Sequence, residues 1–193
     1  MIATRLATIL AACVTAAPST LLAADTLPPS VPADLAVPAG AQPFLAADAE
    51  GTQNYVCALG HGGFAWAFIG PQATLFDASG QQGLTHFLSP NPDEGGAARA
   101  TWQDSSDTSR LFATAVASSS DPTFVTPGAI PWLLLRVVGD EAGPTGGLAL
   151  SGATFIHRVD TAGGLAPATG CRSAKDIGKK ALVPYAARYV FYR

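Results

Sequence analysis

Three histidines, three tryptophans, an Arg-Val-Asp-Thr cluster and two distant cysteines are the residues of this 193-residue chain best able to do chemistry. His61 sits in Gly60-His61-Gly62-Gly63, a turn open to solvent. His86 and His157 each fall in strand-like runs. A metal needs two or more converging ligands with supporting partners, and no His-x-His pair exists. Each histidine is therefore read as a hydrogen-bonded structural group, and neither a metal nor a cofactor is expected. Arg158, Asp160 and Thr161 form the most polar cluster beside an apolar strand. One reading makes them a ligand-facing rim, with Arg158 clasping a carboxylate or phosphate at two points. The more ordinary reading is an Arg158–Asp salt bridge ordering the Gly163-Gly164 loop. Trp66 and Trp132 are flanked by apolar residues and are assigned to the core. Trp102, next to a polar loop, is the best placed for an exposed aromatic platform, with burial as its alternative.

Motifs of common enzymes are missing. The chain has no G-x-S-x-G, H-E-x-x-H, Walker loop, C-x-x-C or N-x-S/T sequence. A triad assembled from distant residues stays open, because triads are defined by geometry.

The N-terminus reads as an address. Arg5 precedes an apolar run from Leu6 to Ala17, and Leu22-Ala23-Ala24 offers a cleavage site before Asp25. This predicts a signal peptide over residues 1–24 and a secreted or periplasmic protein. A lipobox ending at Cys13 is the minority alternative. Nothing else approaches the ~18 apolar residues of a membrane span. Cys57 and Cys171 then meet an oxidising compartment and are expected to pair as a structural staple. The formal net charge is −3 and only 13% of residues are charged, which argues against nucleic acid as a partner. A basic cluster from Arg172 to Arg193 reads as a solvated loop and strand rim.

These groups must be held by strands. Gly and Pro number 20 and 15, too many for a helical bundle. A Pro/Ala-rich arm over residues 25–43 precedes a domain over 44–193. Strand signals fall at 53–59, 64–69, 73–76, 84–88, 100–103, 110–117, 132–138, 153–160 and 183–192. Phe64, Trp66 and Phe68 share one face, which is expected to be core. Trp132–Val138 is nearly all apolar, as expected of a central strand buried on both faces. Ser89–Ala98 reads as a long loop, and one helical turn fits near Ala174–Lys180. The expectation is an all-β domain, a β-sandwich or flattened barrel of eight or nine short antiparallel strands. Its connections are expected to be Greek-key-like, with one disulfide.

Several segments recur as a set: Gln53-Asn-Tyr-Val-Cys57, Trp66-Ala-Phe-Ile-Gly-Pro-Gln-Ala-Thr-Leu75, Ile130-Pro-Trp-Leu-Leu-Leu135, Arg158-Val-Asp-Thr-Ala-Gly-Gly164, Pro167 to Cys171, and Val183 to Tyr192. In order and spacing the chain resembles the Domain of Unknown Function 3455 family over about Val31 to Arg193. The resemblance implies a secreted, β-rich protein without an agreed activity. Two places depart from the family pattern. His86 and Trp102 are separated by an apparent insertion from about Ser89 to Ala100, and Asp160 stands where the family favours Asn.

With export, a staple, many aromatics and no catalytic motif, the leading expectation is a non-catalytic module. It would bind a small molecule, a glycan or an envelope component through His86, Trp102, Arg158, Asp160 and Thr161. An envelope or matrix structural protein ranks second. A hydrolase-type enzyme using His86 or His157 with a nearby acid ranks third.

Overall fold

Period-two alternation of small and large apolar residues along successive strands gives a sheet that rolls up and closes on itself. The structure, a computed structural model, describes residues 28–193. The expected signal peptide over residues 1–24, with Cys13, lies outside them. The strands are β1 (Pro43–Gly60), β2 (Gly63–Phe76), β3 (Gln82–Asn91), β4 (Ala97–Asp104), β5 (Arg110–Ser119), β6 (Trp132–Glu141), β7 (Phe155–Gly163) and β8 (Lys180–Tyr192). They form a closed antiparallel barrel in chain order, with β1 pairing both β2 and β8. The expected all-β architecture is present as a barrel. Its connections are hairpins and loops between neighbours, so the Greek-key expectation is corrected: no strand crosses over another.

Nine strand signals become eight strands because two of them are continuous. Gly70-Pro71 reads as a terminator, yet β2 runs through it. Pro71 is tolerated because β2 pairs with β3 only from Ala73 onward, leaving no ladder partner on that side for the missing N–H. Gly70 adopts φ +132°, a conformation open to glycine, beside a β-bulge opposite Asn54 and Tyr55. The outer half of β2 therefore rises past β3 together with β1, which β8 flanks on its other side as far as Val56. This reverses the expectation for its aromatic face: Phe68 is 51% exposed and Trp66 half-buried. Ser89–Ala98 is also corrected. β3 continues to Asn91, and a short 3-10 turn at Pro92–Glu94 leads directly into β4. The Asn91 side chain accepts from Asp93 N, while Arg99 grips Glu94 at 2.6 and 2.8 Å.

The lumen is packed by unequal partners. Ala47, Ala49, Ala73, Ala113 and Ala187 make room for Trp102, Tyr189 and Phe191, the small-against-large pairing that lets eight strands enclose a filled interior. Gly51 marks a close approach of β1 to β2: a Cβ there would run into the Gln72 carbonyl and Ala73. Leu150, from the β6–β7 loop, is fully buried with this cluster.

A second apolar cluster lies outside the barrel wall. Trp132 and Leu134 face outward from β6 and join Val159, Val125, Ala129 and Leu35. Leu133 and Leu135 face inward, so β6 is covered on both faces over Trp132–Leu135, while Arg136 is exposed and the expected two-sided burial does not extend to Val138. Its outer cover is the N-terminal arm and the β5–β6 loop. The arm makes a 3-10 turn at Ala33–Leu35, and Leu35 is 0% exposed. His157 latches it, with Nε2 2.7 Å from the Leu35 carbonyl and Nδ1 2.9 Å from the Tyr192 hydroxyl. The carbonyl can only accept, so Nε2 carries the proton and Nδ1 accepts from Tyr192. Leu35→Ala is expected to cost about 2–4 kcal/mol by the usual core-truncation penalty, read as a shift in the urea midpoint.

The staple forms as expected. Cys57 and Cys171 are bonded, with Cα atoms 5.4 Å apart. The bond pins the β7–β8 loop to the β1–β2 extension. Cys57 N donates to the Lys179 carbonyl, Gly178 N to the Cys57 carbonyl, and the Trp66 indole to the Thr169 carbonyl. A 3-10 turn at Ala174–Asp176 matches the expected helical turn. No helix among the described residues is long and apolar enough to cross a membrane.

Candidate functional site in the barrel lumen

Below the β1–β2 extension the lumen is unfilled. A cavity of about 240 Å³ is lined by Gln53, Phe68, His86, Leu88, Trp102, Thr114, Leu133, Leu135, Arg158 and Tyr189, among others. Three residues picked out from sequence, His86, Trp102 and Arg158, meet here from β3, β4 and β7. Register explains the meeting. His86 lies opposite Trp102 across β3–β4, and Arg158 lies opposite Leu133 across β6–β7. Alternation along β7 then sends Ile156 and Arg158 inward while His157 and Val159 face the outer cluster.

Trp102 is not an exposed platform. It is 0% exposed and stacks on His86, ring centroids 4.1 Å apart and planes 12° apart. Tyr189 packs edge-on against both rings, at 5.2 Å from His86 and 5.4 Å from Trp102. The Thr101 carbonyl, 2.8 Å from His86 Nδ1, requires the proton on that nitrogen. Burial pushes the His86 pKa down to about 3, so the ring is neutral.

Arg158 is the only lining cation without an acid beside it. Arg99, the other, is paired with Glu94. Arg158 donates through Nη2 to the Pro131 carbonyl at 2.8 Å, and its Nε is buried without a partner. No carboxylate lines the cavity. The expected salt bridge to Asp160 is absent, because a bulge between Val159 and Ala162 and a φ of +50° at Asp160 turn that residue to the outer surface near Asp48 and Arg188. Thr161 is also outside the cavity. Its hydroxyl donates to the Ile130 carbonyl at 2.6 Å and holds the loop before β6. Asp160 and Thr161 therefore leave the candidate site.

Gln53 and Tyr189 join it. Gln53 is 3% exposed and its Nε2 has no partner. Four buried side-chain nitrogens lack partners among the described residues, and three of them, on Gln53, Trp102 and Arg158, belong to this one cavity. Sequence carried a signal for both: Gln53 is a polar residue on the inward parity of β1, and Tyr189 follows Tyr185 on one face of β8. Burial raises the Tyr189 pKa, with the Arg158 charge acting in the opposite direction.

No group of three or more His, Cys, Asp or Glu among the described residues could hold a metal. Among the described residues neither buried histidine has a carboxylate partner: His86 bonds the Thr101 carbonyl, and His157 the Leu35 carbonyl and the Tyr192 hydroxyl. What the geometry offers is an eight-stranded up-and-down barrel with a small, donor-rich lumenal cavity. The chain belongs to the family described as a protein of unknown function, DUF3455, whose model matches residues 38–193. No curated protein matches the chain, and no solved structure does.

Proposed function

We propose that this barrel is a binding module for a small organic anion held in the lumen, with Arg158 as its anchor. The observation that carries the reading is a half-buried guanidinium on a cavity wall, its Nε out of solvent and unpartnered, with no carboxylate beside it. Withdrawing part of a charge from water without a counter-charge is costly, so a protein keeps one where a partner arrives later. Gln53 Nε2 and Trp102 Nε1 add neutral donors of the kind that orient acceptor oxygens. The volume lies below the ~300–1,000 Å³ of drug-sized sites, which favours a small ligand over a glycan chain. Trp102, the aromatic expected to serve as a glycan platform, is buried and does not offer one. The disulfide suits an oxidising compartment, in keeping with export directed by residues 1–24.

Native mass spectrometry of the untagged, oxidised protein tests this. The expected result is a bound species that denaturation releases and that ionises as an anion. Arg158→Gln is expected to return without it, at least 30-fold weaker on the ~2 kcal/mol scale of charge-assisted contacts. The same variant should unfold at an equal or higher urea concentration, because it removes a half-buried charge that has no counter-charge in the cavity. A neutral ligand retained by Arg158→Gln, or a variant destabilised by 3 kcal/mol or more, marks Arg158 as structural.

A further inference from the structure

The cavity has a second pole with the opposite hydrogen-bonding sense. His86 Nδ1 is committed as a donor to the Thr101 carbonyl. Its Nε2 is therefore a lone-pair acceptor, and it has no hydrogen-bond donor among the described residues. The unpartnered atoms on Gln53, Trp102 and Arg158 are all donors. A ligand that satisfies the lumen must bring acceptor oxygens to Arg158 and a donor to His86. Between the poles the walls are apolar: Phe68, Leu88, Leu133 and Leu135, with the Tyr189 ring. An apolar cavity of ~150 Å³ takes a benzene ring, so about 240 Å³ holds one ring with two polar substituents.

We propose that the lumenal ligand is a ring-sized hydroxylated monocarboxylate, its carboxylate on Arg158 and its hydroxyl donating to His86 Nε2. This rests on the anion-binding reading above and adds the second contact. The neutral state of His86 supports it, since the ring stays an acceptor at any pH near neutrality.

The test titrates the full oxidised chain with benzoate, the three hydroxybenzoate isomers and their methyl esters, followed by tryptophan fluorescence. One hydroxybenzoate isomer is expected to bind about tenfold tighter than benzoate, the value of one good neutral hydrogen bond. Its methyl ester is expected to bind at least tenfold weaker than the acid. The ¹⁵N resonance of His86 Nε2 should move with that isomer and stay in place with benzoate. If no isomer exceeds benzoate, or the Nε2 resonance does not respond, the His86 contact is overturned while the Arg158 anchor stands. If the esters bind as well as the acids, or none of the four acids titrates in the millimolar range, the anion reading falls with it.

Discussion

Replacing Cys57 and Cys171 together with alanine is expected to lower stability by about 4 kcal/mol and the melting temperature by about 10 °C. The two residues are 114 apart in sequence. Tethering a loop of that length restricts the unfolded chain by up to ~4.8 kcal/mol in the chain-entropy picture, and a domain of this size shifts about 2–4 °C per kcal/mol. The native state contributes as well. The bond clamps the β7–β8 loop on a β1–β2 extension that β3 does not brace, since β2 pairs with β3 only from Ala73, and that β8 flanks only as far as Val56. Phe68, at the cavity mouth, rides on that extension and packs on Tyr55 at 5.6 Å. Urea unfolding with and without reductant checks the prediction. A loss under 1 kcal/mol would mean that the unfolded chain already holds these segments close together.

Stability is also expected to fall by about 2 kcal/mol between pH 6.5 and pH 5. His86 has a folded pKa of about 3 against an ordinary value of 6.5. Above 6.5 neither state binds the proton, and the contribution is complete. Below 6.5 the unfolded chain takes up a proton that the folded ring refuses, so stability declines until the pH reaches the folded value. One proton of difference is ~1.4 kcal/mol per pH unit. His157 is shifted the same way by burial and adds to the slope. Carboxylates with lowered pKa values, Glu94 and Asp176 among them, also destabilise as pH falls, but their window opens below about pH 4.5, where ordinary carboxyls titrate. Urea midpoints at pH 7.0, 6.0 and 5.0 therefore isolate the histidines. His86→Gln keeps a polar group of similar reach and is expected to flatten the slope by about half. A wild-type profile flat from 7 to 5 would place the His86 ring in contact with solvent.

Much of this protein could be read from local pattern. Alternation of apolar residues marks most of the strands, because a strand with one buried face must repeat every second residue. The Cys57–Cys171 pairing was legible because these two cysteines are the pair left once Cys13 is assigned to the expected signal peptide. His86, Trp102 and Arg158 stood out as polar or amphipathic residues inside apolar strands. Other features depended on contacts between segments far apart in sequence. Gly70-Pro71 reads as a stop in any sequence window, and only the missing β3 partner at that height lets β2 continue through it. Phe64, Trp66 and Phe68 have the alternation of a core face, but the extension they occupy lies above the barrel. Asp160 and Thr161 are separated from Arg158 by a bulge, which turns the chain so that neighbours in sequence face opposite sides. Trp102 sits beside a polar turn yet points inward, because the parity of β4 is set by its register with His86 on β3. The amino-acid sequence by itself determined that the chain is all-β, stapled and rich in inward-capable aromatics. Closure was decided by tertiary structure alone, because which residues share a lumen depends on the register of eight strands around a ring. That closure leaves the Arg158 guanidinium facing a cavity without an acid to pair with it.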